Sequence, residues 1–434
     1  MEMKEAARRT PTVMAAFGIT GDLMRLKVLP ALFALHVQGN LPEKFRLLGF
    51  SRRDWGDEEF REYVRGVIGE RVSGAGEAYV ASFLGLLNFQ KGDFSDEESY
   101  VALKRMADAL DASWSFCTNK IFYLAVAPGF YEPIIEGLSR SGLSRGCSPE
   151  EGWSRVIVEK PFGHDGATAE RLEALLATSF KEEQIYRIDH YLAKESLREM
   201  LDARFREEPD ATTWSGQNVA SITIRLSEKV GVEKRGAFYD TVGALRDVGQ
   251  NHMLEILALL LMESPAEQSA DAIRAKRAEA LEALEPIARE NIATETSRAQ
   301  YHGFREIHGV APDSITETYF KIRASLRSAR WRGVPIILEA GKRLGESRKE
   351  VVVAFTDSDM VSIDIDPSER ADRKTEEYEH LLLEVMRGDQ TLFVSKREIE
   401  AMWRFIDPIL RVWQSGTERV PLHSYQPDTS DISR

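Results

Sequence analysis

The sequence predicts an α/β chain in two parts, a doubly wound parallel sheet followed by an α+β region with a largely antiparallel sheet. Three observations carry this reading. Short apolar runs alternate with helical periodicity up to about residue 190. The turn Gly18-Ile19-Thr20-Gly21-Asp22-Leu23 separates the first run from the first helix. Beyond it the order changes, with long helical patterns first and strand patterns clustered after them.

Residues 12–17 read as a buried strand, and Leu26, Leu29, Leu32, Phe33 and Leu35 as the apolar stripe of the next helix, kinked at Pro30. Further strands are expected at 46–50, 121–126 and 155–159, with helices such as 57–70 and 95–112 between them. An alternating run then leads into Asp189-His190-Tyr191-Leu192-Ala193-Lys194. An α-helix starting after Ile188 would put His190 and Lys194 on one face, with Asp189 roughly 100° away. As a surface segment, the same string would be a solvated helix start capped by Asp189. In the second part, Ile222, Ile224 and Leu226 alternate inward along 219–226, and 239–262 and 266–290 read as long helices. Strands follow at 316–324, 334–338, 351–355 and 360–365, then a charged loop at 366–375 and helices at 376–387 and 396–413. The boundary is drawn between domains 1–189 and 190–434.

A chain of 434 residues is long enough for two cores, and 43% hydrophobic with 29% charged residues is ordinary for a water-soluble enzyme. The longest apolar runs, such as 256–262, are too short to span a bilayer, so no membrane partner is expected. The first ten residues lack an apolar signal core, and a cytoplasmic location is expected. A net charge of −13 argues against nucleic acid, so an anionic ligand needs a local cluster of cations. Cys117 and Cys147 form neither a disulfide framework nor a metal-ligand spacing and read as small, partly buried side chains in a reducing compartment. No metal site is read.

Gly18 and Gly21 stand where a Rossmann-like unit lets its backbone approach a pyrophosphate at a helix N-terminus. The third glycine of that fingerprint is replaced by Met24, and two glycines alone would also serve a plain turn. The second strand ends in Gly49-Phe50-Ser51-Arg52-Arg53, where an acidic residue would select NAD. Arginines there favour NADP, with NAD as the weaker alternative. Glu159-Lys160-Pro161-Phe162-Gly163 closes a strand at its carboxyl end, where Lys160 would reach both substrate and nicotinamide, and such Lys-Pro bonds can be cis. On a straight α-helix Asp247 and His252 lie roughly 140° apart, so His252 needs a partner from elsewhere.

Together these stretches resemble the glucose-6-phosphate dehydrogenase family over most of the chain. The glycine turn at 18–23, Glu159 to Gly163, and Arg187-Ile188-Asp189-His190-Tyr191-Leu192-Ala193-Lys194-Glu195 carry the likeness, with Ala193 replacing a glycine. Similarity continues through 239–252, 298–301, 312–317, 331–335, 341–344 and 393–410. The resemblance implies oxidation of glucose 6-phosphate to 6-phosphogluconolactone with NADP, the entry to the pentose phosphate pathway. It implies that His252 is the general base and that Asp189 orients it. It implies a phosphate site of His190, Tyr191 and Lys194, and sugar contacts from Lys160, Glu233, Asp247 and Lys342. Arg52 would meet the 2′-phosphate, with Asp93, Phe94 and Tyr123 lining the cofactor site. A homodimer or homotetramer on the open face of the second sheet is also implied.

Several positions depart from the family pattern. Ser347 stands five residues after Lys342, where a second basic side chain is usual, and Arg348 and Lys349 are shifted on. Glu339 occupies a place where arginine is common. The segment 421–434 lacks the extension that builds a second, structural NADP site in some animal relatives, so one cofactor site is expected. Two alternatives are a sugar dehydrogenase acting on another sugar or sugar phosphate and a catalytically impaired NADP-binding relative. His190 and Lys194 discriminate against a neutral sugar, because they have no purpose without a phosphate.

Overall fold

The computed structural model describes residues 8–72, 74–147, 152–206, 214–366, 376–415, 420–429 and 432. The chain divides into two compact units, one made of 1–163, 170–193 and 373–394, the other of 164–169, 194–372 and 395–434. A single cut at 189/190 is therefore corrected, because the chain returns late to its first unit.

Six strands of the first unit run parallel: β1 (Thr12–Phe17), β2 (Phe45–Ser51), β3 (Leu87–Lys91), β4 (Asn119–Leu124), β5 (Ser154–Glu159) and β6 (Ile185–Ile188). Their order, β3-β2-β1-β4-β5-β6, is that of a doubly wound dinucleotide fold. Burial of every β1 residue explains its unbroken apolar run. Strand Phe393–Val394 adds to β6 antiparallel, and helix Glu376–Arg387 brings Leu381, Leu382 and Val385 into the core that holds Met14, Leu29 and Ile157. That shared core draws the late segment back. The expected kink appears as a π-helical turn, Met24–Val28, running into α-helix Leu29–Val37. Pro30 has no N–H to donate, and the widened turn before it accommodates its ring.

Cys117 and Cys147 are joined as a disulfide, which corrects their reading as two independent small side chains. The pairing ties the entrance of β4 to the loop before β5. Spacing alone could not show that this loop folds back.

In the second unit, β7 (Val219–Ser227), β8 (Thr296–Tyr301), β9 (Tyr319–Ala324), β10 (Ile336–Gly341), β11 (Arg348–Phe355), β12 (Met360–Asp364) and Leu422–Tyr425 form one sheet. The order is β12-β11-β7-β10-β9-β8 with Leu422–Tyr425 at the edge. Only the pairs of β7 with β10 and of β8 with the edge strand are parallel. Ile222, Ile224, Phe320, Ile322, Leu338 and Val351 are buried on one face, against which the segment Leu245–Met253 packs. Arg225, Glu339, Lys321 and Glu350 share the opposite face, in register with one another.

The helix expected at 239–262 is three pieces: Gly236–Ala244, a π-helix Leu245–Met253, and Leu254–Leu261. Gly243 breaks the path at φ +72°, in a place where a Cβ would run into the Glu317 carboxylate. That buried carboxylate accepts the Leu245 N–H at 2.9 Å and so restarts the helix. Of 266–290 only Ala270–Glu282 is helical, begun by a Ser269 cap. Strands Thr296–Tyr301 and Leu422–Tyr425 are additions that apolar periodicity did not announce. Except for Asp366, the loop read at 366–375 lies outside the described residues. No helix among the described residues is long and apolar enough to cross a membrane.

Arg187 on β6 is fully buried and bonds Glu173 at 2.8 and 2.5 Å and Glu182 at 2.9 and 2.8 Å. Glu173 is buried with it, while Glu182 is 42% exposed and keeps access to water. Replacing Glu173→Ala should destabilise the protein by about 3 kcal/mol, because a guanidinium is then left buried with half its compensation. Glu182→Ala should cost less than about 1 kcal/mol. Urea unfolding midpoints check both.

Candidate active site

In the first unit, chemistry collects at the carboxyl ends of the parallel strands, where open α/β sheets hold their ligands. After β1, Gly18 turns at φ +77° and a side chain there would strike the Ala125 carbonyl. Gly21 donates its N–H to the Gly18 oxygen at 2.8 Å. Ile19 and Met24 are buried in the core, which explains why a large residue stands at the third glycine position. Gly18, Thr20, Gly21 and Leu23 are partly exposed at this turn, Asp22 is exposed, and Ile19 is buried. Asp22 is exposed and pairs with Arg25 at 3.3 Å. Beyond β2, Arg53 lies over the Trp55 ring at 4.8 Å and Arg52 is exposed. A tight glycine turn and a helix N-terminus after β1 fit the pyrophosphate of a nicotinamide dinucleotide.

Three expected cofactor-lining side chains are also engaged within the protein. Asp93 accepts both the Ser95 N–H and hydroxyl, at 2.9 and 2.7 Å, and the first of these bonds holds its carboxyl below the ordinary range. Phe94 packs with Phe17, Phe50 and Phe130. Tyr123 is fully buried, and its hydroxyl donates to Glu159 at 2.5 Å. These contacts hold the three side chains at the strand ends, where Asp93 and Phe94 stay partly exposed and Tyr123 is buried.

Glu159 ends β5 beside Lys160, whose bond to Pro161 is cis. Its carboxylate accepts from Tyr123 and, at 3.5 Å, from Tyr378, while the Tyr131 hydroxyl donates to its carbonyl at 3.1 Å. Burial pushes the Glu159 carboxyl up to about 7, against the Tyr123 bond and Lys160, which favour its ionised form. Burial, with the Glu159 carboxylate beside it, raises the Tyr123 phenol well above its ordinary value and keeps it a donor. Glu159 pairs with Ile188 in the parallel register, so Lys160 and Asp189 leave adjacent strands at one level. Asp189 is buried and accepts the Tyr191 N–H at 3.0 Å. His190–Ala193 is a 3₁₀ turn, and the α-helix begins only at Glu195. The single α-helical face proposed for His190 and Lys194 is therefore corrected, since Asp189 closes its own turn first.

In the second unit, Leu226 and Ala340 lie on the buried face at the ends of β7 and β10, and alternation carries that face to Glu228 and Lys342. Lys342 Nζ bonds Glu228 at 2.6 Å, stands 3.8 Å from Asp247 and faces the Tyr239 ring at 5.4 Å. Burial, followed by the Asp247 charge, keeps the Tyr239 phenol well above its ordinary pKa. Glu233 is exposed at φ +51° in the turn Glu233–Arg235, so Glu228 is the carboxylate beside Lys342. The end of β7 was the signal that could have found it. Asp247 and buried His252 both belong to the π-helix, where i→i+5 turns bring residues five apart to neighbouring positions. The 140° separation of a straight α-helix does not apply.

The first unit has the architecture of a nicotinamide-dinucleotide-binding oxidoreductase, and the second carries a buried histidine and a lysine between carboxylates. The chain belongs to the glucose-6-phosphate dehydrogenase family: residues 15–199 match the family's NAD binding domain, and 201–367 with 356–433 match its C-terminal domain. It is 33% identical to the glucose-6-phosphate 1-dehydrogenase of Chlamydia muridarum over 93% of this chain and 90% of that one. The Bacillus subtilis enzyme of the same name is 31% identical, with 96% of each chain covered. A solved glucose-6-phosphate dehydrogenase in complex with its substrate superposes with a TM-score of 0.87 at 28% identity, over 99% of this chain and 96% of that one. The enzyme from Mycobacterium avium gives 0.82 at 32% identity, over 96% and 95%.

The raised Glu159 carboxyl has a testable thermodynamic sign. Its native value, about 7, exceeds the ordinary 4.5, so the folded chain holds the proton more tightly and loses stability as pH climbs through that interval. The loss is about 2 kcal/mol, reduced because water reaches part of the side chain. Glu159→Gln should remove this slope and be more stable than the parent above pH 7, as read by urea unfolding across pH.

Proposed function

We propose that this chain oxidises glucose 6-phosphate to 6-phosphogluconolactone with NADP as hydride acceptor, opening the pentose phosphate pathway. The observation that carries the reading is that a chain matched end to end to the family retains Asp189, His190, Lys194 and His252 together with the Glu228–Lys342–Asp247 group. His252 takes the proton of the anomeric hydroxyl as hydride leaves the same carbon. Asp189 fixes the tautomer of His252 and stabilises its imidazolium. His190, Tyr191 and Lys194 bind the phosphate, and Lys160, Glu228, Asp247 and Lys342 orient the sugar. Residues Gly18 to Leu23 would hold the pyrophosphate of NADP and Arg52 its 2′-phosphate, and NADP would supply the hydride acceptor.

The subunits associate through the uncovered face of the second sheet, as a dimer or tetramer. The row of Glu350, Arg225, Glu339 and Lys321 on that face supports this, with Arg225 bonding Glu350 at 2.6 Å and Glu339 at 3.4 Å. A cytoplasmic location, where sugar phosphates and NADP are held, goes with this activity. The Cys117–Cys147 pairing withdraws the cysteine argument for it.

Steady-state turnover of glucose 6-phosphate against glucose tests the reading, with a strong preference for the phosphate expected; equal efficiency would sink the phosphate assignment. His252→Asn should lower kcat by about 10²–10⁴-fold with NADP affinity nearly unchanged, and an unaffected rate would remove His252 from the mechanism. Arg52→Ala should weaken NADP about tenfold while leaving NAD little changed; equal weakening of both would disprove the 2′-phosphate role.

A further inference from the structure

Two adjacent cations, Arg348 and Lys349, follow Ser347 at the start of β11. Strand alternation decides between them. Val351 and Val353 of β11 are buried beneath the helices, and Lys349 shares their face, whereas Arg348 and Glu350 share the other. Arg348 is accordingly drawn to Glu346 at 2.8 Å and Glu350 at 3.6 Å. Lys349 instead sits across from Leu226, two residues before Glu228.

Lys349 Nζ lies 3.1 Å from one oxygen of Asp366, and Lys194 Nζ lies 3.1 Å from the other. One carboxylate thus bridges two ammonium groups, one of them the lysine of the Arg187–Glu195 signature. Ile365 donates its N–H to the Lys349 carbonyl at 2.8 Å, and Asp366 donates its own to Asp364 at 2.9 Å, which fixes the carboxylate in place. Burial pushes the Asp366 carboxyl up, but Lys194 and Lys349 outweigh it and hold the group below its ordinary range.

We propose that Lys349 is a phosphate-binding residue of this chain alongside Lys194, and that Asp366 is a displaceable counterion holding the place of the phosphate. The proposal rests on glucose 6-phosphate being the substrate. Two oxygens of a phosphate meet the same two ammonium groups as the carboxylate does, with more charge and stronger charge-assisted hydrogen bonds. Asp366 is half-exposed, so its release to water costs little. A neutral sugar has nothing to offer in exchange.

Kinetics of the full chain with glucose 6-phosphate, with inorganic phosphate as competitive inhibitor, test this. Lys349→Ala should raise the KM for glucose 6-phosphate and the phosphate inhibition constant about tenfold each, with the KM for NADP unchanged. Lys349→Arg should restore most of the loss. Asp366→Asn should shift both constants the opposite way, several-fold tighter. Unchanged constants in Lys349→Ala overturn the assignment, and a weaker phosphate in Asp366→Asn overturns the counterion role. An unaltered NADP KM in each variant reports that the fold is intact. A parent chain that favours glucose over its phosphate would instead defeat the functional reading beneath the proposal.

Discussion

The parallel pairing of β5 with β6 is the constraint from which the first unit's chemistry follows. With Glu159 opposite Ile188, Lys160 and Asp189 leave their strands together, and neither can shift without slipping the register of the whole pair. That register is defended on the far side of β6. Arg187 points away from the apolar face of Tyr186 and Ile188 into a buried ion triad, and a one-residue slip would drive its guanidinium into the core. Two carboxylates at neighbouring strand ends also compete for ionisation, and their environments differ. Asp189 accepts a backbone N–H, whereas burial pushes the Glu159 carboxyl up to about 7 against the hydrogen bonds that Tyr123 and Tyr378 donate to it.

Charge organisation in the second unit answers a different constraint. A chain with net charge −13 must collect anions against its own field. It groups cations where carboxylates already hold them: Lys342 beside Glu228 and Asp247, and Lys194 and Lys349 around Asp366. The cations are thereby positioned before any ligand arrives, so binding exchanges one ion pair for another and little side-chain ordering is left to be done.

The fold class was legible because both sheets write plain signals. Continuous apolar runs mark β1 and β5, and strict alternation marks β7. Legibility failed where local periodicity was overridden from a distance. Glu317 lies some seventy residues from the helix it interrupts at Gly243, and no window around 239–262 contains it. The return of 373–394 to the first sheet and the folding back of Cys147 on Cys117 are long-range events of the same kind. The role of His252 came from the resemblance alone, while Lys160 and Asp189 were singled out by residue type and spacing. Glu228 was not, because it stands alone past a strand end, while Glu233 lies in a denser charged string that the structure leaves exposed. Density of polar residues is a poor guide once a turn separates them from the buried face.

The same rule separates two adjacent cations. A strand offers a given face at every second residue, so within β11 Lys349 shares the side of buried Val351 and Val353, and Arg348 does not. Arg348 is spent on Glu346 and Glu350 across the sheet. Lys349 reaches the carboxylate that Lys194 already holds.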